Sequence, residues 1–242
     1  MPNPKAISEI SQSEAILVVL IHGQPGRAQD FDDIIERLPG NIRVEAYDRP
    51  GWGGSPLGAT TLADNARLLM NFAQSKGFSK LILVGYSYGA AVALRSAIDF
   101  PNQIAAMVLI APVGGVGSIS VIDRFLAKAG SLFRRISMYS HWPDKLQVRT
   151  KHLASFQVEQ ELLHHDLTKM SDHLELVDIP TVMVVGADDF FNPLNGTLAL
   201  YETLQNSEIR LIPGVGHMVL IQAPETVVAE IYNVWSETVE RG

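Results

Sequence analysis

The sequence predicts an α/β protein built on a doubly wound, mostly parallel sheet. Short apolar runs rich in Val, Ile and Leu recur along the chain, and they alternate with segments whose apolar residues have helical spacing. Near-continuous apolar runs are typical of strands that helices cover on both faces. Strands and helices that alternate in this way form open parallel sheets with helices in two outer layers.

Six strands are predicted from these runs. They are Ile16–Ile21, Ile42–Tyr47, Lys80–Val84, Ala105–Ile110, Thr181–Val185 and Ile209–Ile212. The segment before Ile16 has room for at most one more strand, so we expect a sheet of six or seven strands.

Helices are predicted between the strands. Leu62–Lys76 has apolar residues at helical spacing, and Ala90–Phe100 shows a similar pattern. Pro224–Val239 is also helical in pattern, with a proline where a first helical turn tolerates it.

One interval, residues 114–178, interrupts the alternation. It contains no convincing strand, whereas Val121–Ala129 and Phe156–Met170 are amphipathic at helical spacing. The interval is too long for a loop without structure of its own. We therefore expect a core of residues 1–113 and 179–242, with 114–178 inserted as a helical cap over the carboxyl edge of the sheet.

The composition excludes several classes of function. A net charge of -7 argues against a nucleic-acid partner, which usually requires a basic face. The chain has no cysteine, which excludes a thiolate nucleophile, disulfides and cysteine metal sites. The N-terminus lacks the apolar region of a signal peptide, and the longest apolar runs are strand-sized. These features predict a cytoplasmic protein without stable membrane insertion. The oligomeric state has no signal in the sequence.

The stretch VGYSYGAA, residues 84–91, places Ser87 between two glycines where a strand meets a helix. So tight a turn forces its apex into a strained backbone conformation, and the glycines remove side chains that would collide there. The Ser87 side chain is then expected to project above the sheet edge, over a helix N-terminus that favours negative charge. This arrangement is the G-x-S-x-G nucleophile elbow.

A serine nucleophile needs a base, and the base needs an orienting acid. On an α/β sheet of this type the chain order is Ser, then Asp or Glu, then His. Asp188 and Asp189 follow the predicted strand Thr181–Val185, and His217 follows the last one. Both positions lie at the carboxyl ends of strands, where open α/β sheets bind their ligands.

With these elements in order, the chain resembles the α/β-hydrolase superfamily over nearly its whole length. Besides the elbow, four motifs carry the resemblance: His22-Gly23 after the first strand, D-x-x-G-x-G-x-S at Asp48–Ser55, G-x-x-D-x-x-x-P at Gly186–Pro193, and Gly216-His217. The resemblance implies a three-layer α/β-hydrolase fold. The third motif selects Asp189 as the acid, and Asp188 remains the alternative.

The resemblance also implies a mechanism. Ser87 attacks a carbonyl carbon, His217 transfers the proton, and Asp189 holds His217 in the required tautomer. The oxyanion hole is expected from the backbone N–H groups of Tyr88 and Gln24. No metal and no organic cofactor is expected.

Further side chains are candidates for other roles. His22, Trp142 and Phe190 are candidate substrate contacts, although for His22 we favour a structural role in which hydrogen bonds pin its loop. The run His164-His165-Asp166 suggests a metal site, but neighbouring helical residues point about 100° apart and do not readily share one ion.

The favoured activity is hydrolysis of esters with small or medium acyl groups, with an apolar acyl compound as the small-molecule substrate. Two alternatives remain open. One is a C–C bond hydrolase acting on a diketone-like ring-fission product, since enzymes of that kind resemble this chain in cap and triad. The other is a non-catalytic small-molecule receptor with this fold, because fold alone does not settle function.

Overall fold

The computed structural model describes residues 16–115 and 144–241, and for residues 144–151 it describes the backbone alone. Within this part of the chain six strands form one parallel sheet in the order β2-β1-β3-β4-β5-β6. The strands are β1 Ile16–Ile21, β2 Val44–Tyr47, β3 Lys80–Tyr86, β4 Ile104–Ile110, β5 Thr181–Gly186 and β6 Ser207–Ile212. The predicted fold class is confirmed. The segment before Ile16, the predicted helix Val121–Ala129 and Trp142 lie outside the described residues.

Seven α-helices connect or follow these strands in the described residues. They are α1 Asp32–Arg37, α2 Leu62–Ser75, α3 Tyr88–Asp99, α4 Asp144–Leu174, α5 Leu194–Thr203, α6 Val219–Gln222 and α7 Pro224–Arg241. The Thr61 hydroxyl accepts a hydrogen bond from the backbone N–H of Asp64, which caps α2 at its N-terminus. The three helices predicted outside the inserted interval are all present, with ends that differ by one or two residues.

The sheet has a hydrophobic core on each face, which makes the domain three-layered. On β1, Leu17 and Val19 pack with α2 and α3 on one face, and Val18 and Leu20 pack with α1 and α7 on the other. All four side chains are at most 1% exposed. The near-continuous apolar runs of the sequence therefore correspond to strands that are buried on both sides.

The strand order reverses direction at β1. The chain moves from β1 to β2 on one side and returns to pair β3 on the other. Connections leaving β1 and β3 at this point diverge to opposite faces, which opens a crevice at the carboxyl ends of the two strands. The segments that follow β1 and β3 begin at His22 and Ser87, so both predicted motifs lie at this crevice.

Helix α4 forms one wall above the carboxyl edge. The predicted helix Phe156–Met170 is confirmed as part of it. Its C-terminal half packs onto the core through an apolar stripe of Leu163, Leu167, Met170 and Leu174, each at most 4% exposed. The preceding turns carry buried polar groups in line with that stripe: Ser155 donates to the carbonyl of Gly51, and Glu159 is fully buried.

Candidate active site

The nucleophile elbow has the strained backbone that the sequence predicts. Ser87 lies between β3 and α3 with φ 53° and ψ −115°, a conformation that a residue with a side chain rarely adopts. Its N–H donates to the carbonyl of Ile110 at 2.9 Å, which anchors the turn to β4. A Cβ atom at Gly89 would collide with the carbonyl oxygen of Ile21, so only glycine allows α3 to start this close to β1.

The loop after β5 presents the Asp189 carboxylate. Its Oδ1 accepts the backbone N–H groups of Phe191 and Asn192, both at 2.9 Å, and its side chain is 1% exposed. A Cβ at Gly186 would collide with the carbonyl of Val215, so glycine lets the loops after β5 and β6 pack together. The second carboxylate oxygen of Asp189 is thereby directed toward the loop after β6.

His217, in that loop, lies between Asp189 and Ser87. Its Nδ1 is 2.8 Å from Asp189 Oδ2, and its Nε2 is 3.1 Å from Ser87 Oγ. The imidazole is flanked by the rings of Tyr86 and Phe191, each with its centroid 5.5 Å away. The Tyr86 hydroxyl also donates to the His217 carbonyl at 3.2 Å. These contacts fix the ring from both sides.

The contacts of the three side chains allow a proton to pass from Ser87 to His217 while Asp189 orients the imidazole. An ionised carboxylate only accepts hydrogen bonds, so Nδ1 of His217 carries the proton and Nε2 offers its lone pair to the Ser87 hydroxyl. That is the arrangement of nucleophile, base and orienting acid needed for acyl transfer. The alternative acid, Asp188, is exposed to solvent, and the carboxylate that contacts His217 belongs to Asp189.

The loop after β1, here called the β1 loop (His22–Gly26), lies directly beside the elbow. A Cβ at Gly23 would be 3.1 Å from the Cβ of Ser87, so the backbone of this loop is in contact with the serine. Gln24 and Tyr88, whose backbone N–H groups are the predicted oxyanion donors, both line the cavity next to Ser87.

His22, the first residue of the β1 loop, is fully buried. Its Nδ1 is 2.8 Å from the carbonyl of Gly23, and its Nε2 accepts the backbone N–H of Arg49 at 3.1 Å. Burial, and next the positive charge of Arg49, lower the pKa of His22 well below its ordinary value, which keeps the ring neutral. His22 is not among the described residues that line the cavity, and these two hydrogen bonds connect its ring to the backbone of Gly23 and Arg49.

A buried ion pair next to this loop was not foreseen from the sequence. The guanidinium of Arg49 bonds to the Glu159 carboxylate of α4 at 2.5 Å, and both side chains are 0% exposed. The Arg49 cation also lies 4.4 Å from the centre of the Tyr88 ring. Burial raises the pKa of Glu159, and Arg49 opposes that rise. The sequence does contain a signal for the burial of Glu159, because it lies four and eight residues before the apolar stripe positions Leu163 and Leu167.

A cavity of about 510 Å³ opens beside Ser87 and His217. Its described lining is mainly apolar and includes residues of α4, the elbow and the loops after β5 and β6. Among these residues are Pro25, Tyr86, Val113, Phe156, Leu163, Phe191, Met218, Leu220 and Ile221. Phe191 lines the cavity, whereas the predicted contact Phe190 is 71% exposed and is not part of the described lining. Asp30 is the one carboxylate among the described lining residues, and no lysine or arginine is among them.

The sequence of residues 18–230 matches that of the Alpha/beta hydrolase family. This match covers most of the chain and agrees with the fold and with the order of the motifs. The chain belongs to the alpha/beta hydrolase family.

Relatives of this alpha/beta hydrolase include enzymes of different named activities. A 2-hydroxy-6-oxononadienedioate/2-hydroxy-6-oxononatrienedioate hydrolase from Comamonas testosteroni is 24% identical over 246 residues, covering 87% of this chain and 84% of the relative. A solved alpha/beta hydrolase from a Medee basin deep-sea metagenome library has a TM-score of 0.75 at 22% identity, covering 92% of this chain and 90% of the other. A thermophilic esterase from Thermogutta terrifontis has a TM-score of 0.75 at 19% identity, covering 93% of this chain and 91% of the esterase.

The described part of this hydrolase contains neither a candidate metal site nor a candidate membrane span. There, no three His, Asp or Glu side chains are grouped so that they could hold a metal ion, and His164 and His165 are both exposed. None of the helices described for residues 16–115 and 144–241 has the length and apolar character needed to cross a membrane.

Proposed function

We propose that this hydrolase cleaves esters of small or medium acyl groups, with Ser87 as nucleophile, His217 as general base and acid, and Asp189 as the orienting acid. The observation that carries the proposal is the continuous chain of contacts Ser87 Oγ–His217 Nε2 at 3.1 Å and His217 Nδ1–Asp189 Oδ2 at 2.8 Å. Ser87 has a strained backbone conformation, and Ser87 and His217 both line a mainly apolar cavity. A serine placed in this way is activated for attack on a carbonyl.

The acylation step follows from this geometry. The Ser87 oxygen bonds to the ester carbonyl carbon while its proton passes to Nε2 of His217. The tetrahedral intermediate collapses when the bond to the alcohol oxygen breaks, and His217 gives its proton to that oxygen. Asp189 stabilises the positively charged imidazolium between these two transfers, because its carboxylate accepts from Nδ1.

Deacylation repeats the same sequence with water as the nucleophile. The water oxygen bonds to the acyl carbon while His217 takes its proton; the bond from that carbon to Ser87 Oγ then breaks, and His217 returns the proton to the serine. Both tetrahedral intermediates place negative charge on the former carbonyl oxygen. The backbone N–H groups of Gln24 and Tyr88 are the proposed donors to that oxygen, and one such donor is worth about 10²–10³ in kcat.

The substrate class is inferred from the cavity. Its volume of about 510 Å³ is in the range of sites for small molecules. The apolar side chains of Phe156 and Leu163 on α4 face the same space as Phe191 and Ile221 across it. We propose that α4 belongs to a cap formed by residues 114–178, and that an uncharged acyl group binds beneath it.

A second candidate is C–C bond hydrolysis of a ring-fission product. The relative from Comamonas testosteroni, named for a dienedioate and a trienedioate substrate, supports it. A dioate carries two carboxylates, which are usually bound by arginine or lysine. The described lining of this cavity includes the carboxylate of Asp30, which would repel an anionic substrate, so we favour the neutral ester.

Hydrolysis of p-nitrophenyl esters of increasing acyl length tests the proposal. The wild-type enzyme is assayed beside Ser87→Ala and Ser96→Ala. Ser96 is a matched control because it is a fully buried serine of α3 whose hydroxyl donates to the carbonyl of Val92, away from the cavity. We expect turnover of short and medium esters by the wild type and by Ser96→Ala, and its loss in Ser87→Ala.

The same enzymes are assayed with a 2-hydroxy-6-oxo-dienoate. Turnover of the dienoate at a higher kcat/KM than any ester would replace ester hydrolysis by C–C bond cleavage. Tight binding of a small molecule without turnover of either substrate class would instead support the receptor alternative. Ester turnover that survives in Ser87→Ala would contradict the proposed nucleophile.

A further inference from the structure

We propose that Arg49 and Glu159 are positioning residues, which hold the peptide between Gly23 and Gln24 so that the Gln24 N–H faces the oxyanion formed at Ser87. The inference rests on the proposed function, since it assigns no activity of its own. Through Glu159, helix α4 would help to hold the geometry of the oxyanion hole.

The Arg49 side chain binds the β1 loop at two successive carbonyls. Its Nε donates to the carbonyl of His22 at 3.0 Å, and its Nη2 donates to the carbonyl of Gly23 at 2.9 Å. The planar guanidinium offers these donors in a fixed fork, so the two peptide planes are held relative to each other. The ring of His22 adds a contact to the same Gly23 oxygen, at 2.8 Å from Nδ1.

Fixing the Gly23 carbonyl also fixes the direction of the Gln24 N–H. The two groups belong to one peptide unit, which is planar and trans, so they point in opposite directions. The bond from a cation to the carbonyl also polarises the peptide and strengthens its N–H as a donor. The Arg49 cation also lies 4.4 Å from the ring of Tyr88, the residue that supplies the other proposed donor.

Helix α4 reaches the same loop through two side chains. Glu159 binds Arg49 with Oε1 at 2.5 Å and accepts the Gln24 side-chain amide with Oε2 at 2.9 Å. Gln160 donates to the other end of that amide, Gln24 Oε1, at 2.9 Å. The side chain of Gln24 is therefore bound from α4 at both ends, while its backbone carries the proposed oxyanion donor.

The pair is better explained by positioning than by stability. Removing two charges from water costs about as much as their mutual attraction returns, and apolar replacements of a buried ion pair are often as stable or more so. A fully buried Arg49–Glu159 pair is therefore weak evidence for a stabilising role. What an apolar pair cannot supply is the set of directed bonds to the carbonyls of His22 and Gly23.

The test compares kcat, KM and unfolding temperature for the wild type and the double variant Arg49→Met/Glu159→Met, with the best p-nitrophenyl ester. Removing both charges avoids leaving one of them buried without a partner. The control is Ser155→Ala, which removes a buried hydrogen bond from α4 to Gly51 without touching the β1 loop. We expect the double variant to lose at least about tenfold in kcat, against the 10²–10³ of a lost donor, with little change in KM. Ser155→Ala keeps wild-type kcat.

A second readout separates positioning from general damage. A trifluoromethyl ketone accepts the Ser87 oxygen at its carbonyl and forms an oxyanion adduct, whereas the matching methyl ketone binds mainly as the uncharged ketone. The double variant should lose affinity for the first and keep affinity for the second. Arg49→Lys is measured in parallel, since lysine keeps the charge beside Glu159 but lacks the fork. It should show the same selective loss even if the double variant does not fold.

The outcomes distinguish this inference from the proposed function. Suppose that the wild type turns over the ester. If a folded double variant, or Arg49→Lys, then has the same kcat and the same affinity for both ketones as the wild type, the positioning role alone is overturned. Equal losses of affinity for both ketones would overturn it too, because they indicate a damaged cavity. A wild-type enzyme without turnover and without reaction at Ser87 would overturn the proposed function and this inference with it.

Discussion

The proposed acid is defined by its hydrogen bonds more than by its charge. Asp189 and Asp188 are adjacent carboxylates, yet only Asp189 accepts two backbone N–H groups while facing His217. The two backbone bonds hold Oδ1, which leaves Oδ2 to orient the imidazole. Asp188 points away into solvent. The two residues therefore form a matched pair for mutagenesis.

We expect Asp189→Asn to lower kcat by about 10⁴, because an amide at this position allows the wrong histidine tautomer. Asp188→Asn removes one charge from the same loop and should leave kcat unchanged. The measurement is steady-state ester hydrolysis by both variants, with circular dichroism to confirm folding. If Asp188→Asn were the inactive variant, the assignment of the acid would be wrong.

Single residues of the site differ in how far the sequence could place them. Ser87, Asp189 and His217 were each predicted from a motif at a strand end, and the structure brings the three together. Phe190 and Phe191 are adjacent aromatic residues, and the sequence could not tell which of them faces the cavity, because that depends on how the loop turns after Asp189. The Arg49–Glu159 contact joins residues 110 positions apart, and no local pattern specifies such a pair.

At the scale of elements, the junction of β1, β3 and α3 explains why the elbow contains glycines. The helix begins so close to the end of β1 that any side chain at Gly89 would meet the carbonyl of Ile21. Close packing here brings the β1 loop into contact with Ser87. The glycines of the motif therefore allow close packing of α3 against β1, in addition to the strained backbone conformation of the serine.

We predict that Gly89→Ala lowers the free energy of unfolding by about 1–3 kcal/mol or more, because the new methyl group forces the neighbouring backbone to move. Activity should fall as well, because that movement separates the β1 loop from Ser87. The control is Gly40→Ala, where a Cβ meets no atom within 4 Å. Urea denaturation of both variants measures the difference, and equal stability of the two would contradict the account of the junction.

The strands were predictable because they are buried on both faces, which produces unbroken apolar runs. Their ends were less so. The predicted strand at Ile42 begins at Val44 instead, because Ile42 closes a turn by donating its N–H to the carbonyl of Pro39. Ile42 is apolar because it is buried in the core and not because it is in a strand. The edge strand β6 begins at Ser207, two residues before its apolar run starts.

In the molecule as a whole, the candidate site residues lie at one edge of the sheet, the carboxyl ends of its strands. The segments after β1, β3, β5 and β6 meet there, and α4 crosses above them. Glu159 and Gln160 of α4 bind Gln24 of the β1 loop, and the C-terminal half of α4 packs against the core. A charged and polar layer lies between the sheet edge and α4, and it includes the neutral His22 beside the Arg49 cation. The stability of the whole fold should therefore respond to pH through this layer.

We predict that acidification below pH 6.5 destabilises the protein partly through His22. Its pKa is lowered in the folded state, so below the ordinary value of 6.5 the unfolded chain binds a proton that the folded chain does not. The contribution is complete above pH 6.5 and is lost as the pH falls, with a slope of at most about 1.4 kcal/mol per pH unit.

The measurement is the free energy of unfolding in urea between pH 7 and pH 5 for the wild type and His22→Asn. The variant should have a shallower pH dependence, whatever its stability at pH 7. His165→Gln, at an exposed position of α4, should keep the wild-type slope. Parallel curves for the wild type and His22→Asn would show that His22 titrates alike in both states.

Covalent trapping shows whether Ser87 is an activated nucleophile. Wild type, Ser87→Ala and Ser96→Ala are each treated with a fluorophosphonate, and the modified residue is identified by mass spectrometry of the peptides. We expect a single adduct on Ser87 in the wild type and in Ser96→Ala, and none in Ser87→Ala. Folded wild-type protein that stays unmodified, or that is modified at another residue, would contradict that expectation.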